Sequence, residues 1–140
     1  MTMSGRNIVL DTSVLYAGLY SRNGASHQIL QSVERGDIRL ALSTALVLEY
    51  EEVLRRDQRV LGLSDASLRD VLDGLCRHGE PHAVHFLWRP FLPDPNDDHV
   101  LELAVAANAS VVTRNVRHFP NTSSFGVKIL TPGQLLEALP

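Results

Sequence analysis

Apolar and polar positions divide this chain into short apolar runs and longer segments of helical spacing. Four short runs predict buried strands, at residues 8–10, 38–42, 110–113 and 127–130. Residues 82–92 predict a further strand, although the stretch from Trp88 to Phe91 fits a packed loop as well. The segments between these runs are long enough to hold helices.

Helical spacing is clearest in the middle of the chain. Ser43 is placed to cap a long helix, and Ser64 to cap a second amphipathic one. The apolar stripe of the first of these helices contains Leu46, Glu49, Tyr50, Val53 and Leu54. Other helices are predicted before Gly36, after the turn at residues 94–98, and after a capping box that Thr131 and Gln134 form.

Strands that alternate with helices predict an α/β fold, a three-layer α/β/α sandwich with a central, mainly parallel sheet. The 140 residues are enough for one domain, and we expect a single domain over residues 1–140. The lone Cys76 excludes an internal disulfide, and no apolar run approaches the roughly 18 residues of a membrane span. We therefore expect a cytoplasmic protein with no membrane association.

The net charge of the chain excludes few classes of function. A net charge of −3 and a pI near 6.0 argue against a non-specific polyanion binder, but local cations still permit an enzyme that acts on nucleic acid. All but Lys128 of the 13 basic residues are arginine, which suits forked contacts with phosphate.

Three carboxylates stand where the fold does not require them. Asp11 ends an apolar strand, where it could instead cap the next helix. Glu49 lies on an apolar stripe, where the alternative to a metal ligand is an ion pair with an arginine. Asp97 opens a helix and points to its covered side, whereas Asp98 is expected to face solvent. The alternative is that Asp94, Asp97 and Asp98 only complement the dipole at the start of this helix.

Carboxylates that converge without partners repel one another, and a hard divalent cation resolves that conflict. Ligands that are all oxygen favour Mg²⁺ or Mn²⁺ over zinc. Such a site can activate water and neutralise charge on a phosphodiester. Asn115 follows another strand, and could supply an amide oxygen or only a turn.

Four blocks of the chain together resemble the PIN-domain family. They are the first strand with Asp11-Thr12-Ser13, the segment from Ser43 to Glu49-Tyr50, the segment from Asp94-Pro95-Asn96-Asp97-Asp98 to Ala104, and Val112-Thr113-Arg114-Asn115 with Phe119. Within that family the chain looks most like the compact prokaryotic toxin-type (VapC-like) members. The resemblance runs from Asn7 to the terminal helix.

The resemblance implies a Mg²⁺- or Mn²⁺-dependent endoribonuclease whose catalytic and metal-binding residues are Asp11, Glu49 and Asp97. Supporting positions are Asn115, Asp94, Thr12, Ser13 and Thr113. Arg114 and Arg117 flank the expected site and could either hold RNA phosphates or be solvated surface arginines. The resemblance further implies an RNA substrate, a small antitoxin partner and a homodimer. The chain departs from the family pattern at Asn115, where a fourth acid is common, and has His118 where another acid sometimes stands.

Three alternatives stay open at this stage. Cys76, His78, His82 and His85 have ligand types suited to zinc, but their spacing matches no common finger. Asp11 could accept a phosphoryl group, although Ser13 stands where many such enzymes have a second aspartate. The third alternative is a PIN-like module that binds RNA or protein without cutting.

Overall fold

The computed structural model describes residues 7–85 and 90–139, and these form one five-stranded parallel sheet with helices against it. The strands are β1 (Asn7–Leu10), β2 (Arg39–Leu42), β3 (Gly79–Pro81), β4 (Ser110–Val112) and β5 (Ile129–Leu130). The helices are α1 (Thr12–Tyr20), α2 (Ala25–Glu34), α3 (Thr44–Arg56), α4 (Asp65–His78), α5 (Asp98–Ala107) and α6 (Pro132–Ala138). The predicted α/β/α sandwich is confirmed.

The sheet has the strand order β3-β2-β1-β4-β5, and every neighbouring pair is parallel. Helices connect the first four strands and cover the sheet: α5 contacts β1, β2 and β4, while α4 contacts β2 and β3. Short 3-10 turns at Val116–His118 and Thr122–Phe125 connect β4 to β5. Ile8, Val9 and Leu10 are all fully buried, as are Val111 and Val112 on the adjacent strand. Burial on both faces explains why these strands read as continuous apolar runs.

The predicted helix caps are confirmed. The Ser43 hydroxyl accepts a hydrogen bond from the Leu46 amide at 3.1 Å, and the Ser64 hydroxyl accepts one from the Ser67 amide at 3.0 Å. Thr131 and Gln134 form the reciprocal capping box at the start of α6. Each cap satisfies an amide that the first helical turn cannot.

The strand predicted at residues 82–92 is wrong in position. The strand at this edge of the sheet is Gly79–Pro81, while residues 82–85 and 90–92 are not in strands, and residues 86–89 lie outside the described ranges. The physical reason is backbone pairing with β2, in which Gly79–Pro81 lies opposite Leu40, Ala41 and Leu42. A Cβ at position 79 would lie 2.2 Å from Leu42 Cδ1, so this approach requires a glycine. Pro81 is tolerated because an edge strand can lack one amide donor.

Helix α1 was not predicted, and its composition shows why. Val14, Leu15 and Gly18 are buried on a helix that is apolar on nearly all sides, so it has no amphipathic stripe. Over the described ranges, no helix combines the length and the apolar character that crossing a membrane requires.

Candidate functional site

The strand order places a crevice at one end of the sheet. After β1 the chain runs outward to β2 and β3, and then returns to form β4 on the other side of β1. In open parallel sheets, ligands bind at the carboxyl ends of the two strands where this reversal occurs. Asp11 follows β1 there and Thr113 follows β4, and the Asp11 amide donates to the Val112 carbonyl at 2.9 Å.

The Asp11 carboxylate is held by two hydroxyl groups. Ser13 Oγ and Thr113 Oγ1 both donate to Asp11 Oδ2, each at 2.7 Å. Asp11 stands at the N-cap position of α1, but its side chain makes no capping hydrogen bond. The side chain is therefore oriented by Thr113, which follows β4, and by Ser13, and it does not cap the helix that follows it.

Among the described residues, Glu49 has a histidine and a threonine as hydrogen-bond partners, and none of its partners there is an arginine. Its Oε1 lies 2.9 Å from His99 Nε2, and the Thr12 hydroxyl donates to its Oε2. Burial alone would raise the pKa of Glu49, but these hydrogen bonds and the charge of His99 outweigh it, so the Glu49 pKa lies below its ordinary value. Glu49 is thus kept ionised although it is half-buried.

Tyr50 fixes the helix that carries Glu49. Its ring is fully buried, and its hydroxyl donates to the Leu10 carbonyl at the end of β1. Burial, followed by the charges of Asp11 and Glu49, raises the pKa of Tyr50 well above its ordinary value. The protonated hydroxyl therefore anchors α3 beside Asp11.

Asp97 is the least satisfied of the three acids. Its Oδ2 is buried and has no hydrogen-bond partner within the described structure, and His118 Nδ1 lies 3.8 Å from it. Burial raises the Asp97 pKa most, followed by the charges of Asp11 and Asp94 and, more weakly, that of Glu49. His118 has the opposing effect, and the resulting pKa is about 6. The negative charges of Asp11 and Glu49 thus act on the Asp97 carboxyl group.

The expectation that Asp98 faces solvent is wrong. Asp98 is fully buried, and its Oδ1 accepts a hydrogen bond from the Leu92 amide at 3.1 Å. Leu92 is itself buried, so the segment before α5 folds over the start of that helix and covers the side that helical spacing alone assigns to water. Asp98 is a structural residue that ties this segment down.

The donor set suits a hard cation, although the side chains do not form a closed ligand shell. Among residues 7–85 and 90–139, no three His, Cys, Asp or Glu side chains are grouped tightly enough to hold a metal ion as they stand. Cys76, His78, His82 and His85 are likewise not grouped tightly enough to hold a zinc ion as they stand. Carboxylate oxygens and the unpartnered Asp97 Oδ2 nevertheless fit Mg²⁺ or Mn²⁺, because a cation would supply the missing charge.

The remaining predicted positions surround this crevice. The Asn115 amide donates to Thr113 Oγ1 at 2.9 Å, and the Arg114 amide donates to Ser13 Oγ at 3.1 Å. Arg114, Asn115, Arg117 and His118 line one open cleft of about 410 Å³. Asp94 lies further out, where its Oδ1 accepts from the Asn96 amide at 3.0 Å and caps the turn before α5.

Sequence reasoning missed His99 and the role of Tyr50. The signal for both was present, since a carboxylate on an apolar stripe needs a partner and a buried tyrosine hydroxyl needs an acceptor. The sequence could not show which distant residue forms each hydrogen bond. His99 lies 50 positions from Glu49, and Tyr50 lies 40 positions from Leu10.

A family model and a solved structure each match most of this chain. The family model described as a PIN domain matches residues 7–117. A solved structure, titled a domain of a functionally unknown protein from Methanocaldococcus jannaschii DSM 2661, is 16% identical, with a TM-score of 0.55 over 90% of each chain. At that identity the likeness concerns the fold alone. No curated protein matches the chain.

Proposed function

This chain belongs to the PIN-domain family, whose members are in general nucleases, and on that premise we propose that it is a Mg²⁺- or Mn²⁺-dependent endoribonuclease. The observation that carries the proposal is the state of Asp97. Among residues 7–85 and 90–139, its buried Oδ2 has no hydrogen-bond partner, and its pKa is raised to about 6 by burial and by neighbouring carboxylates. Asp98 also has a buried Oδ2 without a partner among the described residues, but its Oδ1 accepts from the Leu92 amide. Asp97 differs because the charges of Asp11, Asp94 and Glu49 act on it.

In this proposal Asp11, Glu49 and Asp97 hold the cation. When bound, the cation would lower the pKa of a water molecule and offset the negative charge that develops on the phosphodiester. Asn115, in place of a fourth acid, leaves the site with one less negative charge, which favours a single ion.

The chain's own residues prepare the site for that ion. Ser13 and Thr113 orient the Asp11 carboxylate, while Thr12 and His99 orient Glu49 and keep it ionised. Ligands that are fixed and ionised before binding lose less conformational entropy when the cation and substrate arrive. Arg114 and Arg117, in the adjoining cleft, are proposed to hold RNA phosphates.

The test is cleavage of RNA by the purified protein with Mg²⁺, with Mn²⁺ and with EDTA. Asp11→Asn keeps the size of the side chain and removes its charge, so cleavage should disappear while the far-UV circular dichroism stays unchanged. Glu49→Gln should behave alike, with Glu52→Gln as its matched control on an exposed position of the same helix. Undiminished cleavage by Asp11→Asn would refute the proposal.

A second candidate, a PIN-like module that binds RNA or protein without cutting it, is favoured by two observations. Asn115 stands at the fourth acidic position, and the acids form no closed ligand shell in the described residues. This candidate predicts RNA binding that is independent of metal and no cleavage of several unrelated RNAs. Metal-dependent cleavage by the wild type would exclude it.

The toxin role, the small antitoxin and the homodimer remain predictions that rest on the resemblance to VapC-like proteins, and the cytoplasmic location remains a prediction from the sequence alone. Induced expression in a bacterial host tests the first of them directly. Growth arrest by the wild type and normal growth with Asp11→Asn would support a toxin. Arrest by both would point to a cause other than cleavage.

A further inference from the structure

Two of the most exposed large apolar side chains of the described chain line the same groove. Tyr20 is 65% exposed and Val60 is 62% exposed, and the groove they share has a volume of about 730 Å³. Arg114 lies on its wall and makes no ion pair with any described residue. Single exposed apolar residues are ordinary on a protein surface, but two beside an unpaired cation in one concavity suggest a ligand.

Tyr16 and Tyr20 form a stacked pair at this groove. They are one turn apart on α1, their ring centroids are 6.4 Å apart and their planes differ by 20°. The Tyr16 hydroxyl donates to Asp57 Oδ2 at 2.7 Å, which fixes the inner ring. The outer ring, that of Tyr20, therefore presents an aromatic surface on a rigid support.

The groove is continuous with the acidic crevice. Tyr16 and Arg114 also line a neighbouring cleft of about 370 Å³ together with Ser13 and Asn115. Ser13 in turn donates to Asp11. A ligand that occupied the groove would thus extend past Arg114 to the carboxylates.

We propose that this groove is a nucleotide subsite for single-stranded RNA, in which an unpaired base stacks on Tyr20 and a neighbouring phosphate binds Arg114. The inference rests on the proposed function, because that function supplies the RNA. An unpaired base has an accessible π-face, whereas a base inside a duplex does not, and aromatic surfaces beside a cation bind single strands without strict sequence preference. The unpaired charge of Arg114 favours a polyanion over a protein partner.

Binding is measured by fluorescence anisotropy in EDTA, with a labelled single-stranded RNA of about ten nucleotides, a length within the span of known single-strand sites. Tyr20→Ala should weaken binding about 5- to 150-fold, the range for loss of one stacked base. Tyr20→Phe keeps the ring and should restore it. Leu48→Ala is the matched control, because Leu48 is 59% exposed and lines none of these clefts.

The role of Arg114 is tested by salt dependence. Arg114→Gln should reduce the slope of log affinity against log salt by about one, the loss of one phosphate contact. Equal affinity of the wild type and Tyr20→Ala would overturn the subsite, as would equal binding of a duplex of the same sequence. A wild-type dimer that Tyr20→Ala dissociates, with unchanged RNA affinity, would also overturn it and assign the groove to self-association.

The two proposals fail in different ways. If the wild type binds RNA through Tyr20 but never cleaves it with Mg²⁺ or Mn²⁺, the endoribonuclease proposal fails and the subsite stands. If the wild type cleaves RNA and Tyr20→Ala binds and cleaves as well as it does, the subsite fails and the endoribonuclease proposal stands. If the wild type binds no RNA, the subsite is refuted.

Discussion

The two sides of the acidic crevice differ in how their carboxylates are satisfied. On the side of β1 and α3, Asp11 receives two hydroxyl hydrogen bonds and Glu49 is bonded through both of its oxygens. On the side of α5, Asp97 has a buried oxygen with no partner in the described structure, and its pKa is raised to about 6. The carboxylates on the first side are therefore oriented before a cation binds, and Glu49 is kept ionised. The carboxylate oxygen without a described hydrogen-bond partner lies on the second side.

The largest effect expected from this difference is on cleavage by Asp97→Asn. We predict a loss of more than about 100-fold, since even removing a partner of a metal ligand costs about 10- to 100-fold. The same variant should lose the increase in Tm that Mg²⁺ gives the wild type. Thermal unfolding with and without Mg²⁺ measures the second effect, and an equal increase in both proteins would place the ion elsewhere.

Removing the histidine on the first side should have the next largest effect. His99→Leu deletes the donor to Glu49 Oε1, so the Glu49 pKa should rise and cleavage should fall about 10- to 100-fold. His99→Gln can still donate and should recover part of the loss. If both variants cleave equally poorly, the histidine acts through packing and its hydrogen bond is not the cause.

A third prediction concerns the threonine that bridges β1 and β4. Thr113 Oγ1 donates to Asp11 and accepts from the Asn115 amide, and the residue is fully buried. Thr113→Val removes both hydrogen bonds at almost constant volume, leaving the Asn115 amide without this acceptor and Asp11 with, among the described residues, the Ser13 hydroxyl alone. The free energy of unfolding should fall by about 2 kcal/mol. Urea denaturation measures it, and Thr113→Ser, which keeps the hydroxyl, should stay close to the wild type.

The smallest predicted effect is the pH dependence of stability without metal. Asp97 has a pKa of about 6 in the folded chain and an ordinary value of 3.8, so the folded state binds more protons between these values. The free energy of unfolding should therefore fall by about 1 kcal/mol as the pH rises from about 4 to 7, after an allowance for partial exposure. Denaturation of the wild type and of Asp97→Asn in EDTA at several pH values should show this fall in the wild type only.

The sequence predicted most of the framework because short apolar runs and side-chain caps are local signals. The central strands, the caps at Ser43 and Ser64 and the capping box at Thr131 all depend on residues within a few positions of one another. The strand Gly79–Pro81 escaped prediction because Gly, Glu and Pro have low strand propensity, and its position is set by pairing with β2.

The candidate site was predictable in its residues but not in its hydrogen bonds. Asp11, Glu49 and Asp97 stood out because each is a charge where burial was expected, and that reasoning needs no three-dimensional information. The pairing of Glu49 with His99 and the covered position of Asp98 are set by contacts between segments that are distant or irregular. Periodicity assigned Asp98 to water because it takes no account of the segment that folds over the helix.

Both edges of the sheet are short, and this limits how another chain can attach. At one edge, β3 has three residues and includes Pro81, which lacks an amide hydrogen, and at the other edge β5 has two residues. Strand addition from a second chain requires a row of free amides and carbonyls, so neither edge offers a template for it or for edge-to-edge aggregation. A protein that recognises this domain is therefore expected to bind its helices and loops.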